Sequence, residues 1–148
     1  MEGLVKFAAT PQLRCLAGFF LCLAYGSSRA GDLQASKSVT ITKDAVTGMA
    51  FMKNKKVCAK WFCSRVGLEG DWAEPWLGEL ASQGLPGPDF ILLAPNTSFD
   101  GWLQRPAEYH DIRRGLHFLL HISLHFSVED AVVYNPHCFR HLLIESGR

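Results

Sequence analysis

The chain has no CxxC pair, and its five cysteines, Cys15, Cys22, Cys58, Cys63 and Cys138, are odd in number and scattered. That argues against a disulfide framework and against a cysteine-ligated zinc site, and it suits a reducing compartment. Charge of one sign is also lacking: the net charge is +1. The whole chain is therefore not a polycation, and any nucleic-acid surface must be a local patch. No apolar run is long enough to span a bilayer, and there is no internal repeat or low-complexity tract. What is present is an ordinary globular balance, 48% hydrophobic and 20% charged, which excludes a disordered or collagen-like chain. With 148 residues it suggests one domain with a sizeable core.

The richest apolar stretch is RCLAGFFLCLAYGSS, residues 14–28. Thr10 is a good N-cap and Pro11 fits the first helical position. Leu13, Leu16, Ala17, Phe20, Leu23 and Ala24 then recur at helical spacing, and Gly26 stops the pattern. The competing reading is a secretory signal with Lys6 and Arg14 as its basic region. Residues 1–8 read as an N-terminal tail.

Three short strands follow: SVTIT (38–42), GMAFM (48–52) and KVCAKWFC (56–63). Their short connections predict an antiparallel meander. Trp72 to Ala81 reads as a helix with Pro75 in its first turn. Gly84, Pro86, Gly87 and Pro88 mark a loop, and the apolar DFILLAP after it fits a strand or a buried helical turn equally. Residues 106–126 form a long helical candidate, with Pro106 at its start and Ile112, Leu116, Leu119, Leu120 and Ser123 on its inner face. Ser127 caps a short segment. Asn135 caps a last helix with Pro136 in first position, ended by Gly147. The fold class expected is α+β, mainly helical with a small antiparallel three-stranded sheet.

Several groups of residues carry chemistry. His117, His121 and His125 recur at i, i+4 and i+8, a spacing that can present imidazoles to a metal but here has no HExxH glutamate; a polar face opposite a leucine face is the plainer reading, and no metal is expected. Lys53, Lys55 and Lys56 make a basic bend between two strands, extended by Lys60 and Arg65. Such a run is usually a solvated turn, but a hairpin can also hold an ammonium against a phosphate. Arg29 and Asp32 are spaced for a local ion pair. His137, Arg140 and His141, in HCFRH, share one face of the last predicted helix.

Read in order, Arg29 in R-x-x-D-L after a leucine-rich helix, Lys53 at a basic hairpin, and His137-x-x-Arg140-His141 at a helix start resemble the catalytic domain of the tyrosine recombinases. GMAFMKNKKVCAKWFC, the Trp-containing helix and YNPHCFRH resemble the divergent recombinase-like proteins of eukaryotic mobile elements. The resemblance covers residues 9–148. It implies DNA recombination or integration, with DNA as partner, no cofactor, no membrane, and a nuclear or otherwise intracellular location. It implies that Arg29 and Arg140 clamp a DNA phosphate through charged, forked hydrogen bonds. His137 then donates to the same phosphate or shuttles a proton, and Lys53 is the general acid for the leaving 5′ oxygen. Lys55, Lys56 and Lys60 contact DNA, while Asp32 and His141 support the clamp.

The sequence departs from the family at the nucleophile. The family's tyrosine lies on a helix after H-x-x-R, whereas Tyr25, Tyr109 and Tyr134 all precede the motif. Residues 9–148 thus read as a catalytic domain truncated before its nucleophile, inactive alone. Apolar surface left near Leu142, Leu143 and Ile144 would favour self-association. The alternatives are a non-catalytic helical interaction module and a small secreted protein.

Overall fold

The computed structural model describes residues 1–26, 29–51, 58–87 and 89–136. Its centre is the helix α2 (Pro11–Gly26), in which every residue from Cys15 to Ala24 is buried. A helix that is apolar all round has no face to give to water and must be enclosed. The N-cap is the one the sequence implies. Thr10 Oγ1 accepts from Leu13 N–H at 3.2 Å and donates to Phe99 O, tying the helix start to a distant loop. The apolar run at the N-terminus is therefore the core helix.

Residues 2–7, expected as part of a tail, form α1 (Glu2–Phe7), which packs on α2 and buries Val5. Glu2 fixes it further. Its carboxylate accepts from Tyr25 O–H at 2.7 Å and from the backbone N–H groups of Leu68 and Glu69 at 2.9 and 3.0 Å. After the short α3 (Ala30–Gln34), the strands β1 (Ser36–Ile41), β2 (Ala45–Phe51) and β3 (Cys58–Ser64) form the expected antiparallel meander, in the order β1-β2-β3. The sheet alternates: Val46, Trp61 and Cys63 are buried, whereas Phe62 between the last two is exposed, the pattern of a sheet packed on one face. Gly48 pairs with Trp61, and a Cβ on Gly48 would lie 2.4 Å from the indole. The indole can therefore cross the strand and donate to Ser36 Oγ at 2.7 Å.

A small hairpin, β4 (Val66–Gly67) and β5 (Gly70–Asp71), leads into α4 (Ala73–Ser82), with Pro75 in its first turn. Trp76 of α4 is fully buried against α2, and its Nε1 donates to Cys15 O at 2.9 Å. Arg14 and Glu79 pair across the same helices. DFILLAP resolves as a strand, β6 (Leu93–Pro95), paired antiparallel with β7 (Trp102–Pro106). Gln34 joins this hairpin to α3: its side-chain amide donates to Leu92 O and Ala107 O and its Oε1 accepts from Leu92 N–H. A buried amide with all these partners is satisfied rather than costly.

The long helix expected over 106–126 is corrected. Pro106 does not start a helix; it ends β7, opposite Leu93. The helix α5 begins at Tyr109 and runs to Phe118. Asp111 takes the place of the proline signal: its carboxylate accepts from Glu108 N–H at 2.9 Å, and an acidic group suits the first turn. Beyond Phe118 the chain widens into a π-helical turn, Leu119–Ser123, and a left-handed His125 (φ 63°) ends the run. The inner face is as expected at Ile112, Leu116, Leu119 and Leu120, all buried. Ser127 caps α6 (Val128–Ala131), its Oγ accepting from Asp130 N–H at 3.1 Å.

The molecule is thus α+β, with a three-stranded antiparallel sheet on one side of a buried helix. Among the described residues no helix is long and apolar enough to cross a membrane.

Candidate functional site

Arg29 is the N-cap of α3, in an extended conformation (φ −83°, ψ 147°). Its carbonyl accepts from Leu33 N–H at 2.9 Å. Its side chain is exposed, and among the described residues its guanidinium has no hydrogen-bond or ion-pair partner. Asp32, three residues on, is half-buried and forms no ion pair with it; the carbonyl of Asp32 accepts from Ser36 Oγ at 3.1 Å. Arg29 therefore opens α3, between the core helix and the sheet in sequence, exposed and with no charge partner among the described residues.

Lys60 lies on β3, exposed, with its ammonium 5.2 Å from the centre of the Phe62 ring. That cation–π contact leaves the ammonium hydrated and available to an anion. Arg65 is a different case. One guanidinium nitrogen meets Asp71 Oδ2 at 2.5 Å and another donates to Thr42 O at 2.9 Å, with Glu74 close by. Burial by itself would raise the Asp71 carboxyl, but the hydrogen bonds from Arg65 and the backbone N–H groups of Ala73 and Glu74 outweigh it and hold the group low. Arg65 is thus a structural clamp for the start of α4 and does not extend the basic patch.

The remaining residues of the expected site, Lys53, Lys55 and Lys56 in the β2–β3 connection and His137, Arg140 and His141 after Pro136, lie outside the described residues. Of the expected site the structure therefore describes Arg29, at the start of α3, and Lys60, on β3. Beside α3 a groove of about 650 Å³ is walled by Gly31, Gln34, Phe90, Ala107, Tyr109 and Ile112. No local pattern announces it, because its walls come from three distant segments.

A second depression was equally invisible. Phe99, Phe118, Ile122, Val128 and Val132 line a groove of about 370 Å³, with Arg114, His117 and His121 on its rim. Arg114 is fixed by Pro95 O and Asn96 O and lies 4.8 Å over the Phe99 ring. The three histidines do not form one face: His117 and His121 line this groove, whereas His125 lies on another depression with Phe126 and Tyr134. The π-helical turn and the left-handed residue explain the separation, since both break the i, i+4, i+8 progression.

No family model, curated protein or solved structure matches the chain.

Proposed function

We propose that the chain is a DNA-binding protein of the DNA recombination and integration class, resembling the tyrosine recombinases, and that residues 1–148 hold a phosphate without supplying the nucleophile. The observation that carries the reading is the setting of Arg29. It is exposed and unpaired among the described residues, at the start of the short α3, which lies in sequence between the core helix α2 and a three-stranded antiparallel sheet. Further along the chain, past Lys37 and Lys43, the cations Lys53, Lys55 and Lys56 fall between β2 and β3 in sequence. This is the order of elements that the resemblance implies for the family's phosphate site. An exposed guanidinium with no partner among the described residues leaves its forked donors for phosphate oxygens.

The test is binding of a labelled DNA duplex, followed by fluorescence anisotropy over a salt series. Each neutralised phosphate contributes a slope of about −0.9 in log K against log salt. Arg29→Ala, at an exposed position, should leave folding intact, lower the slope by about one phosphate and weaken binding by ~1.5–3 kcal/mol. Arg140→Ala should do the same. Binding indifferent to salt and to both arginines would remove the proposal.

One observation favours the interaction-module reading. Ile122, Val128, Val132 and Val133 are all more than half exposed around the π-helical turn and α6, and exposed apolar clusters mark contact surfaces. DNA binding that ignores salt, together with concentration-dependent association, would move the assignment to that reading.

A further inference from the structure

His117 and His121 stand four residues apart where α5 passes into the π-helical turn, a kind of distortion frequent at functional sites. The DNA-binding reading does not use them. Both rings are half-buried and line the same groove of about 370 Å³. His117 Nε2 lies 2.7 Å from Tyr134 O, and His121 Nδ1 lies 2.7 Å from Phe126 O. A carbonyl oxygen only accepts, so each of these nitrogens carries the hydrogen. In the neutral rings His117 Nδ1 and His121 Nε2 are then lone-pair acceptors. Among the described residues neither has a hydrogen-bond partner. An imidazole whose N–H is given to a backbone carbonyl, fixing tautomer and ring orientation, is the usual setting of a metal-ligating histidine.

We propose that His117 Nδ1 and His121 Nε2 form a two-histidine site for a borderline divalent cation, Zn²⁺ in the first place, with water completing the coordination. Both rings line one groove, and neutral imidazole is a ligand such ions favour. Among the described residues no group of three or more His, Cys, Asp or Glu surrounds the position. The site is accordingly open and weaker than a closed structural one. The guanidinium of Arg114 on the same rim opposes the cation and weakens it further. His125 does not contribute, because its left-handed backbone turns it to the other depression.

The test is calorimetric titration of the whole chain with ZnCl₂ in chelator-stripped buffer. Four proteins are compared: the unmodified chain, His117→Gln, His121→Gln, and a double variant, His137→Gln with His141→Gln. Glutamine keeps an N–H for the carbonyl but removes the imidazole ligand. The expected result is one saturable site, weakened at least tenfold by either His117→Gln or His121→Gln and changed less than twofold by the double variant. Should a glutamine variant fail to fold, the unmodified protein still decides: imidazole ¹⁵N resonances of His117 Nδ1 and His121 Nε2 should move on adding Zn²⁺, while His110 stays in place. The absence of saturable binding at millimolar Zn²⁺, binding that survives both single variants, or binding abolished by the double variant would each overturn the proposal.

Discussion

Gly18 is the tightest test of how α2 and α4 are packed. A Cβ placed there would lie 2.0 Å from Trp76 Cδ1, 2.2 Å from Cγ and 2.5 Å from Nε1. Carbon atoms in contact are about 3.5–4.0 Å apart, so Gly18→Ala must push the indole back by roughly 1.5 Å. Trp76 has nowhere free to go: it is fully buried, and its ring centre is 5.8 Å from that of Trp72. Retreat would also break the bond from Nε1 to Cys15 O, and a buried donor left without an acceptor costs ~1–3 kcal/mol. Overpacking adds ~1–3 kcal/mol, while the gain in helix propensity returns only about 0.5–1 kcal/mol. The net expectation is a loss of about 1–5 kcal/mol, a large part of a typical stability of ~5–15 kcal/mol. Gly78, exposed on α4 with nothing within 4 Å of an added Cβ, is the matched control. Gly78→Ala should stabilise by about 0.5–1 kcal/mol. Urea unfolding followed by tryptophan fluorescence and far-ultraviolet circular dichroism measures both. A Gly18→Ala protein within ~0.5 kcal/mol of the unmodified one, the ordinary range for an inert surface change, would refute the packing argument.

Acid should unfold the protein partly through Asp111. Burial alone would raise this carboxyl, but Arg105 and the Glu108 N–H outweigh it and hold it below the ordinary range. A depressed folded-state pKa gives stability that is complete above the unfolded value of about 3.9 and is lost as pH falls through the folded value. The melting temperature should therefore drop below about pH 4, and less steeply in Asp111→Asn; an identical acid limb in the variant would count against the pair. On the chemistry, no tyrosine of the chain should form a covalent adduct with a nicked suicide DNA substrate. Tyr25 is pushed up to about 12, by burial first and then by its hydrogen bond to Glu2, and the Tyr134 ring packs 6.0 Å from Phe126. A denaturation-resistant adduct mapped to Tyr109 or Tyr134 would show that a nucleophile is present after all.

The elements that were legible in the sequence are those whose signals are local. Thr10, Pro11 and Gly26 bracket α2 with residues whose preference is intrinsic, and the β-branched alternation of 38–42 needs no partner to be recognised. The 106–126 stretch failed because Pro106 is ambiguous: its missing N–H suits the first turn of a helix and the end of an edge strand equally. What decides between them is the pairing of Leu93 with Pro106, a contact between segments that no local pattern encodes. DFILLAP was undecidable for the same reason, as its partner strand is β7. The π-helical turn and the left-handed His125 likewise have no local composition signal, so three evenly spaced histidines read as one face when they occupy two.

For the site, the sequence could name cations but could not say which were available. Arg14 pairs with Glu79, Arg65 with Asp71, and Arg105 with Asp111, while Arg114 is bound to two carbonyls. Each partner is brought to its arginine by folding, so these four look free in the sequence and are engaged in the structure, whereas Arg113 stays exposed with no such partner among the described residues. Arg29 differs from these four: among the described residues nothing pairs with it, and Asp32 forms no ion pair with it. An arginine kept unpaired costs the fold nothing at an exposed position, since water solvates it, and it gains its full interaction only when an anion arrives. That asymmetry separates Arg29 from these four but not from the exposed Arg113, and the salt series with Arg29→Ala is the measurement on which the DNA-binding proposal stands or falls.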